Sequence, residues 1–219
     1  MRRTYLILIA TLCCATVAHA NPIPTFTLTQ GSVSVTSDVS GTSLSWGFSG
    51  PGGVFAGGGG TAGFGCFNGV LAGGICDPGV AITSFGPNTG SAFGPGLGST
   101  GTQAFFYGTG IFISGSAFTL PQPGAGTFTI TLPVIFSGQL TACPLDIVYL
   151  DCASGPIGIF NVNGKGKATL TFSGATSLDP HWFMTSGTYT LNPVPEPTSF
   201  ALLGTGVLGL FGKFVRRKG

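Results

Sequence analysis

The sequence predicts an all-β domain, an antiparallel β-sandwich or barrel-like fold rich in glycine, and three observations support this prediction. Apolar residues alternate with Ser and Thr in several short segments, which is typical of strands with one buried and one solvated face. Gly, Pro and Asn interrupt these segments at short intervals. Between the two ends of the chain, no segment shows the 3.6-residue periodicity of an amphipathic helix.

The alternation defines the predicted strands one by one. Its apolar positions are Phe26 and Leu28; Val33 and Val35; Leu44, Trp46 and Phe48; Phe128, Ile130 and Leu132; Ala168, Leu170 and Phe172; and Tyr189 and Leu191. Residues 50–101 are dense in glycine and show few sustained alternations. This region is either a long surface insertion or a set of strands too rich in glycine for a pattern to be seen, and we assign no strands to it.

Composition favours a folded domain and excludes one class of partner. Charged residues are 6% of the chain, whereas 19 Phe can bury much apolar surface, which disordered chains lack. Between the ends, two lysines stand against five aspartates, a net charge of −3. No basic stripe is present, so we expect no nucleic-acid binding. The charged positions are Lys165, Lys167, Asp38, Asp77, Asp146, Asp151 and Asp179.

The first 20 residues have the features of a signal peptide. A short segment with two arginines precedes an apolar run over residues 5–17. Ala18 and Ala20 then supply the small residues that signal peptidase accepts, which predicts cleavage before Asn21. The apolar run is short for a membrane anchor, so we expect an exported protein whose residues 1–20 are removed.

The last 27 residues, 193–219, form a second special segment. Its parts are the box Val194, Pro195, Glu196 and Pro197, an apolar run over residues 200–212, and a basic end with Lys213, Arg216, Arg217 and Lys218. Extended to residue 215, a helix here would span roughly 24 Å, which is marginal against a hydrocarbon core of about 30 Å. The basic end would remain in the cytoplasm.

This tail resembles the PEP-CTERM sorting signal, which has the same three parts in the same order. The resemblance implies a Gram-negative bacterium that makes exopolysaccharide. It also implies that an exosortase, a membrane transpeptidase-like enzyme, recognises Pro195, Glu196 and Pro197 after the tail has paused in the inner membrane. The protein would then be released to the cell surface or the extracellular matrix.

Four cysteines remain after signal cleavage and form two local pairs. In an oxidising envelope an even number at such spacing indicates disulfides. Among three connectivities we favour Cys66 with Cys76 and Cys143 with Cys152, each closing a loop of about ten residues and stabilising by about 2–3 kcal/mol. A zinc site is the alternative, but neither spacing matches C-x-x-C.

Candidate catalytic residues are few, and we predict that the protein is not an enzyme and holds no metal or cofactor. His181 lies close to Asp179 in sequence, but no G-x-S-x-G nucleophile motif accompanies them. Asp146 and Asp151 lie between two cysteines and could form a carboxylate pair. We interpret these residues as turn and strand-end polarity.

Residues 21–192 therefore form an exported Gly/Ser/Thr-rich β domain with two main competing functions. The first is a structural protein of the cell surface or of the exopolysaccharide matrix of a biofilm, without catalytic activity. The second is a carbohydrate-binding module with a defined aromatic site. Its candidate stacking residues are Trp46, Tyr107, Tyr149 and Trp182, although the alternation places Trp46 in the core. A third and weaker hypothesis is an enzyme that uses His181 or the pair Asp146 and Asp151.

Overall fold

The computed structural model describes most of residues 22–192, and the two terminal segments lie outside this range. The segments within the range that it does not describe are 39–40, 61, 65, 67–69, 83–88, 98–101, 107–109, 123–125, 145–151, 153–154, 175–177 and 179–180. The predicted signal peptide, its cleavage site at Asn21 and the sorting tail are thus outside the described residues. Within the described part of the chain, no helix has the length and apolar character needed to cross a membrane.

Fifteen strands and one 3-10 turn make up the described domain. In chain order the strands are β1 (Thr25–Leu28), β2 (Gln30–Asp38), β3 (Gly41–Gly50), β4 (Val54–Gly60), β5 (Ala62–Phe64), β6 (Val70–Leu71), β7 (Ile75–Cys76), β8 (Val80–Ile82), β9 (Thr89–Phe93), β10 (Thr102–Phe106), β11 (Ile111–Gly115), β12 (Phe118–Thr119), β13 (Thr127–Pro144), β14 (Gly158–Ser173) and β15 (His181–Asn192), with the turn at Pro51–Gly53 between β3 and β4. The prediction of an all-β fold is confirmed.

Eight of these strands form a closed circuit of antiparallel pairings. The order is β2, β3, β4, β9, β10, β13, β14 and β15, and β15 pairs again with β2. The closed circuit pairs each of these strands on both edges over part of its length, which limits the places where another chain could add. Among the described residues, residues 127–133 of β13 pair with β14 alone. This matters in a domain with so few charges, because charged side chains are a common means of protecting such edges.

The long hairpin of β13 and β14 holds the circuit to the rest of the domain. On its second edge, β13 pairs with β11 through residues 134–138 and with β10 through residues 142–144. The second edge of β14 has two partners. Residues 159–162 pair in parallel with β1, and residues 165–173 pair antiparallel with β15. At Gly138, where β13 changes partner, φ is +144° and a Cβ would collide with the Gly110 carbonyl oxygen, so glycine is required.

The glycine-rich region is not a structureless insertion, because it contains the strands β4 to β9. Its central strand β4 lies between β3 and β9 in the circuit. There Gly57 pairs with Gly47, and both are covered by the ring of Phe55. The sequence left two interpretations open, a long surface insertion or strands too rich in glycine to show a pattern. The second interpretation is the correct one. A smaller branch of β8 and β5 extends from β11, and β7 pairs with β12.

The core lies inside the circuit and is largely aromatic. Phe106 contacts Trp46 at 4.9 Å and Phe160 at 6.4 Å between ring centroids, and Phe48 contacts Phe136 at 6.0 Å. Every apolar position of the predicted alternation faces this core, although those in the first part of β13 are only half-buried. The half-buried positions are Phe128, Ile130 and Leu132.

The four cysteines form two disulfides, in the pairing that the spacing favours. Cys66 is joined to Cys76 with 5.4 Å between Cα atoms, and Cys143 to Cys152 with 5.2 Å. Cys76 belongs to β7 and Cys143 to the last residues of β13. Each bridge therefore ties an irregular connection to a strand, where it limits the freedom of the unfolded chain.

The buried Tyr189 predicts how stability depends on alkaline pH. Its side chain is 1% exposed, and burial, with a smaller contribution from the charge of Asp77, raises its pKa well above the ordinary value of 10.0. The folded phenol therefore stays neutral while the unfolded one ionises. Stability from this group is complete below pH 10 and is lost above it, by up to about 1.4 kcal/mol per pH unit. Urea unfolding of wild type and Tyr189→Phe between pH 9 and 11.5 measures this loss.

We expect the free energy of unfolding to fall more steeply above pH 10 in the wild type than in Tyr189→Phe. Equal slopes for the two proteins would contradict the assignment of a neutral, buried phenol. The phenylalanine variant keeps the ring, so its core packing serves as the control.

Candidate functional site: an outward hydroxyl face

The outward positions of five neighbouring strands are occupied mainly by Ser and Thr. The strands lie in the order β13, β14, β15, β2 and β3. Because side chains alternate along a strand, the positions between the core residues all point away from the core. On these strands most of them carry hydroxyl groups, which gives a polar surface. Two of them are the lysines of β14, and Asp38 is the last residue of β2.

The register of the five strands aligns these hydroxyls in two rows. The first row contains Thr129, Thr171, Ser186, Thr36 and Ser43. The second row contains Thr131, Thr169, Thr188, Ser34 and Ser45. We call these ten residues the hydroxyl face. All of them are exposed or half-buried.

The spacing of the hydroxyl face follows from strand geometry. Neighbouring strands lie about 4.8 Å apart, so five strands extend roughly 19 Å across, and the two rows are about 6.8 Å apart along the strands. A bulge in β15 contributes to the alignment: Thr185 is the extra residue, and its hydroxyl donates to the Thr171 carbonyl at 3.2 Å. The residue after it, Ser186, thereby stays in the first row.

Contacts among the hydroxyls leave most of their hydrogen-bonding capacity free. The hydroxyls of Thr129 and Thr171 lie 3.2 Å apart, and those of Thr131 and Thr169 lie 3.3 Å apart. Each hydroxyl has one donor and two acceptor positions, so one contact does not saturate it. The face can therefore donate to and accept from a polyhydroxylated ligand or an ordered water layer.

Two lysines border the hydroxyl face on β14. Lys167 lies two residues before Thr169 of the second row, between Pro133 and Thr190 on the neighbouring strands. Lys165 lies two residues before Lys167, opposite Ile135. Both side chains are exposed. They are the only cationic side chains between residues 21 and 192, so the positive charge of the domain is concentrated at this place.

A surface pocket of about 420 Å³ lies beside Lys165. Its wall contains the side chains of Ser114, Pro133, Ile135 and Lys165. Ser114, Ile135 and Lys165 stand in register on three adjacent strands, β11, β13 and β14. The pocket thus combines a hydroxyl, apolar surface and one cation.

Two exposed phenylalanines form a second feature, on the outward side of β4 and β9. Phe55 and Phe93 pair directly, with 5.9 Å between ring centroids, and they are 36% and 40% exposed. The ring of Phe55 lies over Gly57, where a Cβ would be 2.5 Å from the ring. Sequence reasoning missed this pair because it lies in the glycine-rich region, where no alternation indicated which residues face outward.

The aromatic residues proposed from the sequence occupy other places. Trp46 and Trp182 are buried, with 5% and 4% exposure, so they belong to the core. The indole N–H of Trp182 donates to the Pro121 carbonyl at 3.1 Å, whereas that of Trp46 is buried without a partner among the described residues. Tyr107 and Tyr149 lie outside the described residues.

The candidate catalytic residues are only partly described. His181 begins β15 opposite Leu71, and its ring centroid lies 6.4 Å from that of Phe183. Its suggested partner Asp179, and the carboxylates Asp146 and Asp151, lie outside the described residues. Among the residues that the structure does describe, no group of three or more His, Cys, Asp or Glu is placed to hold a metal ion.

Comparison with known proteins identifies the tail alone. Residues 193–218 match the PEP-CTERM protein-sorting motif. No curated protein and no solved structure matches the chain. The motif marks an exported protein that is directed to an exosortase through its C-terminal tail. The predicted box from Val194 to Pro197 and the predicted basic end lie inside the matched residues.

The two tryptophans provide a test of whether either residue binds a ligand. Both substitutions, Trp182→Phe and Trp46→Phe, remove similar ring volume. Trp182→Phe also leaves the Pro121 carbonyl without its donor, whereas Trp46→Phe removes a buried donor that has no partner. We expect urea unfolding to show Trp182→Phe less stable than Trp46→Phe by about 1–2 kcal/mol. Unchanged stability with loss of polysaccharide binding in either variant would contradict the core assignment.

Proposed function

We propose that this protein is a non-catalytic structural component of the cell surface or of the exopolysaccharide matrix. Signal peptidase removes residues 1–20, and an exosortase acts at the box from Val194 to Pro197. The observation that carries the proposal is the combination of a sorting motif with a domain whose outward surface is a two-row array of hydroxyls.

The chemistry of the hydroxyl face suits a hydrated polysaccharide. Sugar hydroxyls both donate and accept hydrogen bonds, and the Ser and Thr hydroxyls can accept from them and donate to them. A single net hydrogen bond contributes only about 0.5–1.5 kcal/mol, so a useful affinity needs many of them at once. Ten aligned hydroxyls on one sheet provide many weak hydrogen bonds that do not depend on one particular order of sugars in the polymer.

The architecture also suits a passive role outside the cell. Two disulfides fasten connections at the ends of strands, and each strand of the closed circuit is paired on both edges over part of its length. Both features favour a rigid domain that stays folded without a cellular environment. In the matrix, such a domain would act through its surface and not through a catalytic cleft.

An isosteric change of the hydroxyl face tests this role. We expect Thr169→Val with Thr188→Val to lower the fraction of the protein retained by the exopolysaccharide matrix several-fold, because two central hydroxyls become methyl groups. Valine keeps the branched shape and the strand propensity of threonine. The measurement is the protein content of washed matrix from a host that has the exosortase.

Thr169→Ser with Thr188→Ser is the matched control, since it keeps both hydroxyls and should be retained like the wild type. Equal retention of the valine and serine variants would contradict a role for the face. A wild-type protein that keeps its tail in the inner membrane despite an active exosortase would contradict the proposed location.

The second candidate function is a carbohydrate-binding module with an aromatic platform. The exposed pair of Phe55 and Phe93 favours it, because sugar rings stack their C–H faces on aromatic side chains. The ring of Phe55 lies over Gly57 and Gly47. The platform differs from the one expected from the sequence, since neither tryptophan takes part.

Substitution of the platform separates the two candidates. If the module is correct, Phe93→Ala should weaken saturable binding of a neutral oligosaccharide tenfold or more in calorimetry, whereas Phe112→Ala should not. Phe112 is a suitable control because it is 52% exposed but lies on β11. Equal affinities of the two variants would exclude the platform as a binding site.

A further inference from the structure

We propose that the pocket beside Lys165 binds one anionic sugar residue of an acidic polysaccharide, and that Lys167 binds the next acidic group along the same polymer. This inference specifies the polymer that the proposed matrix role leaves open, and it rests on that role. The site consists of Ser114, Pro133, Ile135, Lys165 and Lys167.

The charge distribution supports an anionic ligand. The domain from residue 21 to residue 192 has a net charge of −3, yet both of its lysines lie on one strand face, two residues apart. That spacing places their Cα atoms about 6.8 Å apart. No ion pair joins either ammonium to another residue that the structure describes. Two adjacent exposed cations that form no ion pair with the described residues are available to an external carboxylate or sulfate.

The shape and lining of the pocket fit one or two sugar rings. A volume of about 420 Å³ is near the lower end of the range of roughly 300–1,000 Å³ found for small-molecule sites. Ile135 is 55% exposed and Pro133 is also exposed, so both offer apolar surface to the C–H groups of a sugar ring. The Ser114 hydroxyl lies on the next strand, in register with Ile135, and can bond a ring hydroxyl.

The pocket is continuous with the hydroxyl face, which explains why a polymer is the expected ligand. Lys167 pairs with Thr190, which pairs with Ser32, and this line of residues runs beside the second row of hydroxyls. A chain anchored by its acidic group at Lys165 can therefore continue past Lys167 and over the hydroxyl face. The lysines would select the acidic polymer, while the hydroxyls would add contacts that do not depend on charge.

Two glycines beside the pocket have no room for a side chain. At Gly166, a Cβ would lie 2.7 Å from the ring of Phe136 and would also collide with the Thr190 carbonyl oxygen. A Cβ at Gly115 would lie 2.6 Å from Pro78 and 3.1 Å from Val134. Neither position accepts a side chain without movement of its neighbours, and the buried neighbours Phe136 and Val134 show that both glycines let the strands of the pocket pack closely on the core.

The test is isothermal titration of the exported chain with oligogalacturonate, sulfated dextran oligosaccharide and neutral dextran. We expect oligogalacturonate to bind at least tenfold more tightly than dextran, and this preference to weaken as salt is added. Lys165→Gln should lower the affinity for oligogalacturonate tenfold or more. Equal binding of the sulfated probe would show that any anionic sugar is accepted, and weaker binding would show selection for carboxylates; both results support the site.

Lys165→Gln combined with Leu178→Lys is the matched control for net charge. Leu178 is 97% exposed and follows β14, whose last residue Ser173 lies about 27 Å along the strand from residue 165. We expect this variant to bind as weakly as Lys165→Gln. Recovery of affinity in it, or no loss in Lys165→Gln, would overturn the site in favour of non-specific charge attraction.

Failure of this inference differs from failure of the proposed function. If all three probes bind alike and Lys165→Gln has no effect, while the valine variant of the hydroxyl face still loses matrix retention, only the acidic-sugar site is wrong. If matrix retention is also unaffected in the valine variant, the matrix role itself is contradicted.

Discussion

The antiparallel pairing of β13 with β14 is the constraint on which the rest of the structure depends. It runs without interruption from Thr127 opposite Ser173 to Ala142 opposite Gly158. Because side chains alternate with a period of two, a slip of one residue would place the threonines in the core and the apolar residues in water. The pairing that buries Leu170 therefore also sets Thr169 opposite Thr131 on the outside.

The same hairpin links the core, the closed circuit and the candidate site. Each of its strands divides its second edge between two partners, which closes the circuit and leaves a pocket where β11 meets the hairpin. Glycine makes this possible at Gly138, which has a positive φ, and at Gly166, where the Phe136 ring occupies the place of a side chain. A chain so poor in charge thereby obtains a closed fold whose outward surface carries rows of hydroxyls beside two exposed lysines.

Much of the fold could be predicted from the sequence, because each correct prediction rested on a local pattern. Alternation identified the core residues of β2, β3, β14 and β15, and spacing indicated the cysteine pairs. The strands between residues 50 and 101 could not be predicted, since glycine has no side chain with which to show alternation. The hydroxyl rows, the pair of Phe55 and Phe93, and the pocket depend on which strands become neighbours, and pairing between distant segments leaves no local signal.

The most direct test of the central idea, that the hydroxyl face meets the polysaccharide, is nuclear magnetic resonance mapping of the exported chain with its host's exopolysaccharide. We predict that the perturbed threonine methyl and amide signals cluster on β13, β14 and β15, at Thr129, Thr131, Thr169, Thr171 and Thr188. The signals of β4 and β9, which lie on the opposite side of the circuit, should be unaffected. Perturbations scattered over the loops, or none at saturating polysaccharide, would contradict the idea.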